Sequence, residues 1–452
     1  HISVIDAKKA TNKTTGEPKR VLGSIDAISI IVGIVIGAGV FKTPALVAAN
    51  TANDTMFLLS WLLGGTVSLF GALSYAELTS TYPHAGGDYH FLYRAYGKRL
   101  AFLFAWARMT VIQTGSIALL AFIFSDYASQ IYAFGPSTEV IYASGIIILL
   151  TLVNMLGIRL GTGTQKLFTL MEVTGILLVI AAGLFFAPEE TSSPNVSDHT
   201  GSVMNNWGMA MVFVLLTYGG WNEAAYVSAE MKSGSRSIAV AMIISILIIT
   251  IVYLLVNYVY IYALGHAGVA NSKAVAADLV QLAWGAPSVK FIGLLVAISA
   301  LTSANATIIT GARSNYALGN DFSRFAMLGK WNQKVSSPVN ALILQAVISL
   351  LLVALGAITR HGFETIVEYT APVFWFFFLL VGLAVLILRV KDPYRSRPFK
   401  VPLYPVIPIV FCLSSGFLLF SSIVYTGIGA LLGIGVLAVG LLFVLFAGDK
   451  GE

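Results

Sequence analysis

About twelve apolar runs, each long enough to cross a lipid bilayer, dominate the chain: residues 25–50, 56–79, 100–134, 140–156, 167–186, 207–229, 238–264, 289–318, 341–358, 366–390, 404–425 and 428–447. A span needs about 20 mostly apolar residues in succession. In hydrocarbon no water serves an exposed N–H or C=O, so such runs must form helices that satisfy their own backbone. The sequence therefore predicts an all-α polytopic membrane protein. Only 11% of its residues are charged and 57% are hydrophobic, whereas a soluble domain carries roughly a quarter charged residues. Runs three and eight are longer than a bilayer requires, which implies tilt or protrusion rather than extra spans.

The placement of charge sets the expected topology. With the N-terminus inside, about 22 of the 27 Lys and Arg fall in inner segments, including Arg94, Lys98, Arg99, Lys232, Arg236, Arg324, Lys330 and the cluster at 389–400. Only Lys273, Lys290 and Arg360 fall outside. Cytoplasmic loops concentrate basic residues in this manner. The net charge of +6 thus needs no nucleic-acid partner, and both termini are expected in the cytoplasm, with the chain in the inner (cytoplasmic) membrane. The acidic, polar stretch 188–206 reads as an outer connector. The single cysteine, Cys412, lies in an apolar run, so no internal disulfide is expected. No cleavable signal, zinc spacing, phosphate loop or nucleophile motif is found, so neither an enzyme nor a cofactor is expected, a sodium ion excepted.

Two runs carry glycine clusters at mid-span: Gly37-Ala38-Gly39-Val40-Phe41 in the first and Tyr218-Gly219-Gly220-Trp221-Asn222 in the sixth. An unwound stretch at that depth survives only where it faces protein or a ligand. Paired breaks in corresponding halves mark the binding site of a secondary transporter. They lie five helices apart, as a five-plus-five inverted repeat demands. The chain then divides into a cytoplasmic N-terminal segment (1–24), a ten-helix inverted-repeat transport core (25–390), and a loop with helices 11 and 12 and a short C-terminus (391–452). The alternative is that these glycines only allow close helix crossing.

Four motifs carry a family resemblance: GAGVFKTP (37–44), AELTSTYPHAGGDYHFL (76–92), YGGWNEAAYVSAE (218–230) and RPFKVPLYPVIP (397–408). In this order they resemble the amino acid–polyamine–organocation superfamily, and within it bacterial relatives of the L-type amino acid transporters. The resemblance covers nearly the whole chain. It implies a LeuT-like fold, alternating access, and an amino-acid site among helices one, three, six, eight and ten.

A free amino acid brings one carboxylate and one ammonium into the membrane, and each needs a fixed partner. Backbone amides at Ile36, Gly37, Ala38, Gly39 and Val40 suit the carboxylate, because a helix N-terminus carries free N–H groups and partial positive charge. Carbonyls near Tyr218 and Gly219 suit the ammonium. Gly220, Leu216, Gln113 and Asn222 complete the expected lining, with Tyr218 and Trp221 either capping the substrate or serving as packing aromatics. Leu216 stands where mammalian relatives have an aromatic gate, and Glu223 is an extra carboxylate that either faces the pocket or pairs with Lys or Arg. The small residues favour a neutral L-amino acid.

Helix five carries a lone charge, Glu172, where the resembling proteins usually have lysine. A charge in a span costs about 2.5–3.5 kcal/mol on insertion scales and marks function. Helix eight offers two adjacent hydroxyls, Thr302 and Ser303, resembling the second sodium site of the wider fold. With carbonyls of Gly33 and Ile36, and Glu172 as countercharge, they predict sodium-coupled symport, sodium being a hard, oxygen-seeking cation. Proton coupling through Glu172, amino acid exchange, and a channel are the alternatives. Lys42 is expected to snorkel or to pair with Asp54, and Glu230 to pair with Lys19, Arg20 or Arg94. The external loop between helices three and four lacks the cysteine that links mammalian relatives to a heavy chain, so no such partner is expected. The oligomeric state stays open.

Overall fold

The computed structural model describes residues 23–84, 86–129, 131–156, 162–186, 203–228, 235–330, 332, 338–359, 361–424 and 428–446. The first half holds α1 (Ser24–Val35), α2 (Thr43–Ala49), α3 (Asp54–Thr81), α4 (Asp88–Tyr96), α5 (Lys98–Ala107), α6 (Gln113–Ser129), α7 (Thr138–Met155) and α8 (Thr162–Phe185). The second holds α9 (Val203–Thr217), α10 (Ala224–Val227), α11 (Ser235–Asn271), α12 (Val275–Trp284), α13 (Ala286–Asp321), α14 (Val339–Thr359), α15 (Gly362–Lys391), α16 (Val406–Val424) and α17 (Ile428–Phe446). Eight helical spans among the described residues are long and apolar enough to cross a membrane. The first and sixth expected spans are split in two, and neither half reaches that length. The fifth and twelfth contribute shorter apolar stretches, Leu170–Phe185 and Gly429–Phe443.

Local signals fix several ends. The Asn53 side chain caps α3 by accepting from the Met56 amide at 2.9 Å, which fills one donor that a helix start leaves open. Helix three of the expected series is α5 and α6 joined through a π-helical turn, Arg108–Ile112. It stops at Ser129 rather than residue 134. Helix eight, α13, runs 36 residues, about 54 Å at 1.5 Å per residue, well beyond a core of about 30 Å. The expected outer connector lies outside the described residues up to 202, and from Val203 the chain is already helical.

Helices equivalent in the two halves pack on each other: α2 on α9, α3 on α11, α6 on α13, and α7 on α14. Each pair joins a span to the span five later, as two inverted repeats about a shared axis would. Large apolar side chains such as Leu149, Leu170, Leu351, Leu413 and Leu431 are more than half exposed. A water-soluble surface rarely tolerates so much apolar area; a lipid-facing one requires it. One end of the bundle is closed by the cluster at 389–400. Buried Glu77 of α3 receives Arg389 through two bonds, Nε to Oε1 at 2.7 Å and Nη2 to Oε2 at 2.5 Å. The Val401 amide donates to Glu77 Oε2 at 2.8 Å, and Arg397 Nε lies 3.4 Å from Oε1. The two motifs 76–92 and 397–408 are thus one folded unit.

Candidate functional site

Both breaks are present and they meet. Helix α1 ends at Val35, Ile36 and Gly37 leave the helical path, and a 3-10 turn, Ala38–Phe41, precedes α2. Pro44 sits in the first turn of α2, where its missing N–H costs nothing and its ring fixes the restart. Helix α9 ends at Thr217, Tyr218 to Gly220 form a turn, and a 3-10 turn, Trp221–Glu223, leads into α10. Gly220 has φ +107°, and a Cβ there would lie 2.8 Å from Ile34 Cγ2 of α1. Glycine is required twice over, by backbone conformation and by contact.

A tyrosine the sequence reading missed ties the breaks together. Tyr253 of α11 places its hydroxyl 2.6 Å from the Val35 carbonyl and 3.1 Å from the Thr217 carbonyl. Those are the last residues of the two half-helices, whose carbonyls have no partner in a continuing helix. Thr43 and Thr217 share a hydroxyl contact of 2.5 Å, and Thr43 also donates to the Gly39 carbonyl at 3.0 Å. Tyr127 of α6 donates to the Phe41 carbonyl at 2.7 Å. The signal available in sequence was weak: a tyrosine or threonine inside an apolar span needs a polar partner, but nothing names it.

The other expected residues distribute unevenly around this centre. Ile36, Ala38 and Val40 are buried at the first break, Gly39 is partly open beside Thr217, and a Cβ on Gly37 would lie 3.4 Å from Ser303 Oγ. Ser303 therefore faces the break. Thr302 instead donates to its own helix at Ile298, 2.8 Å. Gly33 is buried in α1 and Leu216 is half-buried beside the second break. Gly219 donates to the Leu216 carbonyl at 3.0 Å. Asn222 is buried.

Tyr218 and Trp221 take the packing alternative, and Lys42 finds another partner than the one expected. Tyr218 is fully buried, donates to the Trp61 carbonyl at 3.0 Å and packs edge-on against Tyr253 with centroids 4.9 Å apart. It braces α9 against α3 and α11. Trp221 is likewise wedged among Tyr75, Phe378 and Phe411 at centroid distances of 5.1, 5.7 and 6.4 Å. Both rings follow the packing alternative, held by neighbours on other helices. The Gln113 amide is committed to α13, donating to the Thr307 carbonyl at 2.9 Å and Thr310 Oγ1 at 3.0 Å. Lys42 pairs with Asp126 at 2.8 Å rather than with Asp54, since Asp54 stands exposed at the start of α3. Lys19, Arg20 and Glu230 lie outside the described residues.

Glu172 and Glu223 resolve differently. Glu172 is 3% exposed; its Oε1 accepts from Ser299 Oγ at 2.7 Å and its buried Oε2 has no hydrogen-bond partner. Phe41, Gly175, Ile292, Leu295 and Val296 line the small cavity around it. Ser299, which sequence reading did not select, is four residues from Ser303 and so on the same helix face. The carboxylate thus sits one turn of α13 from the hydroxyl at the first break. Glu223 pairs with Arg108, Nη1 to Oε1 and Nη2 to Oε2 both at 3.1 Å.

The amino acid permease family model matches residues 22–446. The chain belongs to the amino acid permease family. It is 31% identical over 423 residues to the b(0,+)-type amino acid transporter 1 of Homo sapiens, covering 91% of this chain and 84% of that protein. The Mus musculus form is 30% identical over the same length. The large neutral amino acids transporter small subunit 2 of Mus musculus is 28% identical over 432 residues, 91% of this chain and 78% of that protein. Family and fold agree: this is a multi-pass helical membrane protein of the amino acid–polyamine–organocation superfamily, a permease and not an enzyme.

Proposed function

We propose that the chain carries a neutral L-amino acid by alternating access, as a sodium-coupled symporter in the cytoplasmic membrane with both termini inside. The observation that carries this is the single hydroxyl of Tyr253 set between the terminal carbonyls of the two half-helices. It holds the breaks within reach of one small zwitterion. Amides of residues 36–40 would receive the carboxylate, and carbonyls at the end of α9 the ammonium, with Gly219, Gly220, Leu216 and Asn222 toward the side chain. The small residues and Leu216 offer no fixed charge, which supports a neutral substrate. The pairing of four spans with the spans five later supports a transport core over 25–390 with 391–452 appended.

For the ion, the donor set is oxygen alone: Ser303 facing Gly37, Thr302 beside it with free lone pairs, the α1 carbonyls of Gly33 and Ile36, and Glu172 with an unfilled oxygen. A hard monovalent cation fits such a set. When bound, it would supply the positive charge that Glu172 lacks. A second reading, proton coupling, is favoured by the buried Oε2 of Glu172, which no cationic side chain among the described residues reaches. Cys412, the one cysteine in the sequence, is buried in α16, which supports function without a disulfide-linked subunit.

The test is a thermal-shift screen of the detergent-purified protein against the amino acids, each with sodium or potassium. A ligand that binds only the folded state raises Tm by mass action. Stabilisation by a neutral amino acid only in sodium supports symport with that ion. Equal stabilisation in potassium, with uptake abolished by collapsing a pH gradient, would transfer the role to the proton. Counterflow of preloaded substrate separates a carrier from a channel.

A further inference from the structure

On the face that gathers the basic residues lies a second buried polar cluster. Its centre is Arg108, the first residue of the π-helical turn between α5 and α6. A π turn inserts a residue and often marks a functional position. Here it turns a charge into the bundle. Three of the five Arg108 N–H groups are engaged: both terminal nitrogens go to Glu223 and Nε donates to Ser314 Oγ at 3.3 Å, while its face lies 4.5 Å from the Tyr226 ring centroid.

Beside it stands a second carboxyl, Asp88, the first residue of α4, 3% exposed. Gly87, at φ +47°, brings the chain so close to helix six that a Cβ would lie 2.8 Å from the Tyr226 ring. Asp88 Oδ1 has no hydrogen-bond partner, and neither have the buried hydroxyls of Tyr75 and Tyr226. Two carboxyls therefore share one guanidinium already taken by Glu223. The groups facing Asp88 are Tyr75 from α3, Arg108 from the π turn, and Asn222, Glu223 and Tyr226 from helix six. From α15, Lys391 reaches only the far end of α4, donating to the Ala95 carbonyl at 2.7 Å.

We propose that Asp88, Arg108 and Glu223 form a single-proton binding site, in which Asp88 holds the proton while Arg108 clasps Glu223. An ionised Asp88 would be a buried charge that Arg108, Asn222 and Tyr75 offset only in part; a protonated one can instead donate to a neighbouring hydroxyl oxygen. Burial pushes its carboxyl up to about 7, with Arg108 pulling down, Glu223 pushing further up, and Asn222 and Tyr75 pulling down as donors. Loss of the proton makes Asp88 a rival for Arg108. Glu223 follows directly on the Gly219–Gly220 break, so the proton is linked to the half-helix that must move when the site opens to that face.

The site is defined without substrate, so its test is independent of the transport reading. Full-length protein in detergent is melted across pH 5 to 8, wild type against Asp88→Asn. A carboxyl whose folded pKa is raised stabilises the fold below its unfolded pKa near 3.8, and loses that stabilisation as pH rises to about 7. Wild-type Tm should fall over this window and level off above it; Asp88→Asn should lack that fall. Glu223→Gln should move the midpoint of the fall down by about one pH unit, by removing the repelling charge and freeing Arg108. If Asp88→Asn does not fold, infrared titration of the carboxylic-acid C=O band in wild type and Glu223→Gln gives the same two midpoints. A wild-type pH profile retained in Asp88→Asn, or an unmoved midpoint in Glu223→Gln, overturns the proposal.

Discussion

Replacing Tyr253 by Phe removes one oxygen and leaves the ring, whose neighbours Trp61 and Tyr218 stay at 5.8 and 4.9 Å. The loss falls on two carbonyls in a low-dielectric interior. Val35 keeps a second donor, the Gly37 amide at 2.7 Å, whereas Thr217 loses its contact with the Tyr253 hydroxyl. A buried group left unpaired costs about 1–3 kcal/mol, and with one of two carbonyls still served the lower half of that range applies. Spread over a chain of this size, about 1–2 kcal/mol lowers Tm by only a few degrees. The same free energy, if the two half-helix ends lose their register, weakens substrate binding by about 5- to 30-fold. The assay is Kd by calorimetry and Tm by melting on the same preparation. A lower Tm with unchanged Kd would show that the hydroxyl only packs, and would refute the claim that it holds the two breaks as one site.

Gly220→Ala should abolish binding and lower Tm, because the left-handed backbone costs about 1–2 kcal/mol for an L residue and the added methyl meets Ile34; normal uptake by this variant would remove the need for the break. Glu172→Gln keeps volume and the Ser299 contact but removes charge. It should cut sodium stimulation of substrate binding tenfold or more, read as Kd in sodium against potassium, and undiminished stimulation would place the ion elsewhere. Arg389→Ala leaves Glu77 with the Val401 amide and the more distant Arg397. Breaking a buried pair costs about 3–5 kcal/mol; with Arg397 remaining, a loss near the lower end is expected, seen as a marked fall in Tm without change in substrate Kd.

The order of spans and the location of both breaks were legible in the sequence, because hydrocarbon enforces helix and glycine marks where helix stops. Those constraints are local. Glu223 was readable as a residue in want of a cation, and Glu172 as a charge out of place, since burial of charge is costly wherever it occurs. Their partners were not readable. Arg108 is 115 residues from Glu223, and Ser299 is 127 from Glu172; only the packing of α6 and α8 around α13 and helix six decides those meetings. The packing of a side chain beside a glycine turn was equally hidden: nothing local says that Tyr218 meets Trp61 and Tyr253, or Trp221 meets Tyr75 and Phe378. Sequence determined which stretches cross the membrane and where the backbone opens, through the cost of unsatisfied peptide groups. Tertiary structure decided what faces the opening, because a hydroxyl such as that of Tyr253 finds its carbonyls across helices that no local pattern records.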